Sequence, residues 1–215
     1  MEYLSILILF QGLKMWSWAI FSGRRRPLKL LTRRVWERIV RRGDIVVDAT
    51  CGNGYDTLAM VKMVADEPGS GCVYGFDIQE NALENTSFLL DHSLSDHEKK
   101  LVKLYGICHS RMEEVIPSGA LLRLVAFNLG YLPGGDKAII TTSKTTLQAL
   151  EVAEKLLAPG GLISLVVYVG HPRGREEFET VQEFASGLSV ENWVCCKFEM
   201  LNRPLAPVLV FLFKS

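Results

Sequence analysis

The chain has 215 residues, 48% of them hydrophobic, which is enough to bury one sizeable α/β core without disulfide or metal staples. Lys plus Arg equal Asp plus Glu at 24 each, yet residues 1–43 hold ten bases against two acids, leaving fourteen against twenty-two in the acidic remainder. Five cysteines without a C-x-x-C pair argue against a disulfide framework and a zinc site, and fit a reducing compartment.

The opening run YLSILILFQGLKMWSWAIF is apolar and is followed by Arg24, Arg25 and Arg26. It approaches the length of a bilayer span, but Gln11, Gly12 and Lys14 interrupt it, and the Arg cluster follows the apolar run, the reverse of a secretory signal. Residues 1–26 therefore read as a leader or targeting-like segment ahead of a membrane anchor, and residues 27–215 as one domain. No stable membrane partner is expected.

TRRVWERIVRR, Thr32 to Arg42, spaces Val35, Trp36, Ile39 and Val40 as a helix that Gly43 would cap. DIVVDAT follows as a buried strand whose unbroken apolar run suits a parallel sheet covered on both faces. The alternation continues with a helix near Asp56 to Ala65, a strand at Cys72 to Phe76, a helix near Glu80 to Asp91 and a strand at Leu101 to Tyr105. A short helix near Arg111 to Ile116 and a strand at Leu122 to Phe127 come next. A long helix, Thr142 to Leu157, closes on PGG before the strand LISLVVYV, and a helix near Arg175 to Ala185 precedes the strands NWVCCKFEM and APVLVFLFK. The turn LNRPL between these two is too short for a helical crossover, so they should pair antiparallel. The expected fold is α/β, with seven strands, mostly parallel and one antiparallel near the C-terminus.

DATCGNG, Asp48 to Gly54, carries the first strand into two glycines and then a helix, the place where backbone N–H groups approach a ligand. A dinucleotide loop would have a third Gly where Thr57 stands, which weakens a nicotinamide reading. FDIQ closes the second strand with Asp77, placed for ribose hydroxyls, and Ile78 and Gln79 beside it. Asp48, Thr50, Gly52, Asn53, Gly54, Asp77, Ile78 and Gln79 are accordingly candidate cofactor residues for a nucleoside ligand such as S-adenosylmethionine. The competing reading makes the glycines a plain βα turn and Asp77 a helix cap.

DATCGNGYDT, VYGFDIQ, FNLGYLPGGDK, PGGLISLVVYVGHPRGREE and RPLAPVLVFLFK together resemble the YtqB/MnmM-like class I S-adenosylmethionine-dependent methyltransferases, an rRNA-methylase family now linked to tRNA. The resemblance runs from about Val35 to the C-terminus, is most specific at Asn128 to Lys137, and is closer to plant than to bacterial members, which implies a plastid or mitochondrial address, with the cytoplasm as alternative. It implies a class I Rossmann-like fold and transfer of a methyl group to the amine of an aminomethyl-(2-thio)uridine at the tRNA wobble position. It departs from the family at Thr32 and Arg33, where members tend to carry Ala-His or Ser-His, and at Tyr55, where bacterial loops have His.

Methylating an amine needs a neutral nitrogen, its lone pair aimed at the methyl group, and a route for one proton. Asn128 ends the fourth strand, where its carbonyl can accept an N–H while a backbone carbonyl near Gly130 accepts another and Tyr131 lies against a base. This loop resembles the N-P-P-Y loop of amino-group methyltransferases that act on nucleobases. Asp136, brought back by Pro133, Gly134 and Gly135, is a candidate to hold the amine or take its proton, with a turn cap as the competing role. His171 is a second candidate for the proton, with Tyr168 nearby and Arg173 and Arg175 for phosphates. The resemblance further implies cofactor contact at His109 and Ser110.

An RNA partner, tRNA above all, calls for a basic surface, against which the acidic body speaks. The Arg-rich helix at Arg33 to Arg42, or a patch of Lys137, Arg173, Arg175 and Arg203, would supply it. A methyltransferase for rRNA or for a small-molecule amine is the alternative reading, and a non-catalytic nucleoside-binding module the third. The four histidines, His92, His97, His109 and His171, share no ligand spacing with acids or thiols, so no metal is expected.

Overall fold

The computed structural model describes residues 27–136, 138–171 and 173–215, so the leader assigned to residues 1–26 and the RNA contact assigned to Lys137 lie outside the described residues. Helix α1, Pro27–Ile39, begins with a proline, whose fixed φ and missing N–H suit the first turn. Its buried face carries Leu31, Val35 and Trp36, while Arg34 and Glu37 pair on the outside at 3.1 Å. The helix stops before the expected Arg42. Gly43 is not its cap: with φ of +83° it turns the chain into the sheet, donating its N–H to the Val64 carbonyl at 2.9 Å.

The remaining elements are β1 (Ile45–Asp48), α2 (Tyr55–Val64), β2 (Cys72–Phe76), α3 (Glu80–Ser93), the short α4 (Asp96–Lys99), β3 (Val102–Tyr105) and a 3-10 segment, His109–Glu114. After these come β4 (Leu122–Leu129), α5 (Ser143–Leu156), β5 (Leu157–Val167), α6 (Gly174–Gly187), β6 (Trp193–Phe198) and β7 (Val208–Lys214). The sheet order is β3-β2-β1-β4-β5-β7-β6. All neighbours are parallel except β7, which runs antiparallel to both β5 and β6. Seven strands with one reversed near the C-terminus match the sequence expectation.

Alternation along the strands divides the core into two layers. In β4, Val125, Phe127 and Leu129 face α5 and α6, which contribute Ala149, Leu150, Phe178 and Val181. Leu124 and Ala126 face α1, α2 and α3, which contribute Trp36, Met60, Val61 and Leu90. The last strand is buried on both faces, with Val210 and Leu212 in one layer and Leu209 and Phe211 in the other. Each such side chain contributes about 2 kcal/mol, which holds β7 inside the sheet although it arrives last. One polar pair crosses the second layer: Trp36 donates its indole N–H to Ser164 Oγ of β5 at 2.9 Å.

PGG does not separate α5 from β5. Leu157 already pairs with Leu122, the chain bulges through Gly160 at φ +73°, and regular pairing resumes at Leu162 with Leu124. The strand order reverses between β1 and β4, so the loops leaving their carboxyl ends diverge and open a crevice.

Candidate functional site

The glycine loop forms one wall of the crevice. Gly52 and Gly54 have φ of +55° and +78°, and a Cβ at Gly54 would stand 2.9 Å from the backbone of Thr86 in α3. The loop can therefore lie directly on that helix only as glycine. Asp48 is fully buried beneath it, accepting from Thr57 Oγ1 at 2.7 Å and from the Thr50 N–H at 3.3 Å. Thr57, standing where a dinucleotide loop has glycine, thus braces Asp48. Burial, then the charge of Asp56, pushes the Asp48 carboxyl up to about 7. Asp48 does not line the crevice, and its place is that of a strut rather than a ligand contact. Gly54, turned toward α3, does not line it either.

Asp77 leaves the end of β2 and accepts the Gly52 N–H on one oxygen and the Gln79 N–H on the other, each at 3.0 Å. Each oxygen keeps a lone pair, which suits the two hydroxyls of a ribose. Behind it, His109 donates from Nδ1 to the Ala49 carbonyl at 3.2 Å and meets Phe127 edge-on at 5.7 Å between ring centroids. Burial lowers its pKa to about 4, so the ring is neutral and its buried Nε2, without a hydrogen-bond partner among the described residues, is an acceptor. The Ser110 hydroxyl instead turns to Cys108 Sγ at 3.1 Å and lies outside the crevice lining.

The opposite wall is built on Asn128, which lies within β4 rather than after it. Its backbone N–H donates to Thr50 Oγ1 at 2.7 Å and its carboxamide nitrogen to Asp56 Oδ2 at 3.0 Å. A carboxylate only accepts, so the amide nitrogen must face Asp56 and the amide oxygen the other way. That oxygen is buried and has no hydrogen-bond partner among the described residues. Asp56 also receives Arg33 at 3.2 Å and Lys29 at 3.4 Å. The loop beyond Asn128 folds back: the Thr141 N–H reaches the Gly130 carbonyl at 3.1 Å, Tyr131 bridges to Ile140, and Leu132 covers Gly52. Asn53 joins the two walls through the Pro133 carbonyl at 3.5 Å.

Between the walls lies a cavity of about 1050 Å³. Single small ligands fill roughly 300–1,000 Å³, so a nucleoside cofactor leaves space for an acceptor group beside it. Of the residues singled out in the sequence, Thr50, Gly52, Asn53, Asp77, Ile78, Gln79, His109, Asn128, Gly130, Tyr131, Tyr168 and Arg203 all line this cavity. Tyr55, Tyr131 and Tyr168 keep exposed rings at its mouth.

Besides Asp48, Gly54 and Ser110, four residues stand elsewhere. The sequence expectation brings Asp136 back to the amine; instead its exposed carboxylate caps the Ala138 N–H at 2.8 Å and borders an adjoining depression that shares Ile78, Gln79 and Ile139 with the cavity. His171 packs behind Gly130, with its ring edge-on to Tyr131 at 6.1 Å, and does not line the cavity. Arg173 is exposed at the start of α6 and Arg175 lies over Phe178 at 5.8 Å; neither lines the cavity that Arg203 lines. Sequence reasoning misses the Asp56 cluster, although Asp56 sits inside GYDT and Arg33 departs from the family pattern. Among the described residues no group of three or more His, Cys, Asp or Glu could hold a metal, and no helix is long and apolar enough to cross a membrane.

Comparison with known proteins agrees with this geometry. Residues 73–214 match the family model described as "Putative rRNA methylase". The chain is 64% identical over 194 residues, 89% of its own length and 70% of the relative's, to the chloroplastic tRNA (mnm(5)s(2)U34)-methyltransferase of Arabidopsis thaliana. A solved structure from Clostridium thermocellum, described in the same words as the family, is 37% identical with a TM-score of 0.80, over 87% of this chain and 97% of that one. A "putative methyltransferase" from Streptococcus mutans, solved in complex with S-adenosylhomocysteine, is 28% identical with a TM-score of 0.76, over 90% and 100%.

Proposed function

We propose, from the premise that this chain belongs to the rRNA methylase family and is an S-adenosylmethionine-dependent methyltransferase of class I fold, that its acceptor is the amine of an aminomethyl-(2-thio)uridine at the tRNA wobble position. The observation that carries this reading is the buried oxygen of Asn128, which no described residue satisfies, on a residue that lines the same cavity as Asp77. Asp77 would hold the ribose of S-adenosylmethionine and Ile78 and His109 would flank its adenine, and the bound group would supply the methyl group as an electrophilic sulfonium.

Asn128 Oδ1 accepts one N–H of the incoming amine and so turns the nitrogen lone pair toward the methyl carbon. A carbon–nitrogen bond forms as the carbon–sulfur bond breaks, and the new secondary amine leaves with the extra proton to lose in water. The reacting amine must first be neutral. Lys29 and Arg33 give the Asp56 cluster a net positive charge next to Asn128, which disfavours an ammonium there. Tyr131 and Tyr168 offer faces to the base, and Arg203 a cation to phosphate. The name of the Arabidopsis relative supports both the tRNA acceptor and a plastid address.

One observation favours a second reading. Arg173 and Arg175 do not line the cavity, and the body of the chain is acidic, as a small-molecule amine acceptor would allow. Labelled methyl transfer from S-adenosylmethionine to tRNA carrying the unmethylated aminomethyluridine decides between them. Label that nuclease digestion releases from the precipitable fraction supports tRNA, whereas transfer to a nuclease-treated extract at the full rate supports the small molecule.

A further inference from the structure

Asn128 can serve as an acceptor only if its amide is turned the right way. The two ends of a carboxamide are nearly the same size, so a half-turn about χ2 would present N–H donors to the cavity in place of the oxygen. Those donors would repel the N–H groups of an incoming amine and leave the lone pair misdirected. Packing alone does not choose between the two orientations; a hydrogen-bond partner does.

The geometry assigns that choice to Asp56: it is a positioning residue whose carboxylate, gripped by Arg33 and Lys29, locks the Asn128 amide with its oxygen toward the acceptor. This rests on the reading of Asn128 given above. Asp56 stands in the first turn of α2, buried at 8% exposure. Its Oδ2 takes the Asn128 amide at 3.0 Å and Lys29 at 3.4 Å, and its Oδ1 takes Arg33 at 3.2 Å. Arg33 is fixed in turn by the Tyr55 carbonyl at 2.8 Å. The carboxylate therefore cannot swing away from Asn128 without abandoning two cations. Reversing the amide would set its oxygen against Asp56 and leave its N–H groups facing the amine, an unfavourable contact on both sides. The cluster also explains Arg33, which departs from the family at that position: from α1 it crosses to α2 and closes the far side of the clamp.

The test is a double-mutant cycle of Asp56→Ala and Asn128→Ala, read as single-turnover methyl transfer to tRNA together with S-adenosylhomocysteine affinity. Losing a charge-assisted hydrogen bond corresponds to about ten- to hundredfold in rate. The expected result is a loss of that size in kcat for Asp56→Ala, with cofactor affinity within about threefold of the parent. In the Asn128→Ala background, Asp56→Ala should then cost nothing further. Losses that multiply across the cycle would overturn the positioning role while leaving Asn128 as the acceptor contact. Unchanged kcat in Asn128→Ala would overturn the acceptor role itself, and this inference with it. Should Asp56→Ala fail to fold, the pair Arg33→Met and Lys29→Met loosens the clamp while keeping Asp56. Read at a pH high enough to keep the amine neutral without the two cations, it must lower kcat in the parent and not in Asn128→Ala; an equal effect in both backgrounds would again overturn the inference.

Discussion

Two buried groups should make stability respond to pH in opposite directions, and single substitutions should separate them. Asp48 is raised from 3.8 to about 7 by burial and by Asp56, so between these values the folded protein holds a proton that the unfolded chain has lost. Stability from this group is present below pH 3.8 and is lost as pH rises through about 7, by about 4 kcal/mol for a shift of roughly three units. His109 is lowered from 6.5 to about 4, so over that range the unfolded chain binds a proton that the folded protein refuses. Stability here rises with pH from about 4 to 6.5, by about 3 kcal/mol. The two slopes nearly cancel between pH 4.5 and 6 in the parent. Urea unfolding of the cofactor-free protein across pH 4.5 to 7.5 reads the sum. Asp48→Asn should unmask a stability that climbs up to pH 6.5, and His109→Phe one that falls toward pH 7. Glu177, buried and raised above 4.5, adds a falling slope to both variants and the parent alike, so the test is the difference between them: an Asp48→Asn profile that parallels the parent would refute the burial argument.

Asp77→Ala removes the acceptor for two hydroxyls and also frees the Gly52 and Gln79 N–H groups, so S-adenosylhomocysteine affinity measured by calorimetry should fall about a hundredfold or more. Asp136→Ala, which touches only the Ala138 N–H and the surface, should leave kcat within about twofold in the labelled-transfer assay. Trp36→Phe strands the Ser164 hydroxyl between α1 and β5 and should cost about 1–3 kcal/mol of unfolding free energy, with little change in the rate of transfer.

The sheet was legible because parallel strands covered on both faces leave unbroken apolar runs, and βα loops leave glycines at fixed places. IVVD, CVYGF and VLVFLFK declared themselves in this way, and DATCGNG and FDIQ marked the cofactor wall through the same regularity. Boundaries failed where tertiary contacts overrode local signals: Gly43 looked like a helix cap because it follows an amphipathic run, but its N–H belongs to Val64. PGG looked like a break, yet the ladder opens before it. Helix α4 carries a sequence signal of its own, since Ser95 and Glu98 form a capping box with the S-x-x-E spacing.

The acceptor wall was half legible. Asn128 could be picked out because a polar residue closes an apolar strand at the switch point. Its partner Asp56 and the two cations that hold it could not, since Lys29, Arg33 and Asp56 come from two helices and meet only in space. Asp136 and His171 were drawn toward the site by nearness in sequence to Asn128 and Tyr168. A capped N–H and a packed ring place them outside it.

The central claim is that an amine on tRNA receives the methyl group at Asn128. Mass spectrometry of nucleosides from tRNA that carries unmethylated aminomethyl-(2-thio)uridine, incubated with the protein and S-adenosylmethionine, tests it most directly. The wobble nucleoside should gain one methyl group with the parent protein, and at a rate about a hundredfold lower with Asn128→Ala. An unmodified wobble nucleoside, or methylation that proceeds equally well without Asn128, would contradict it.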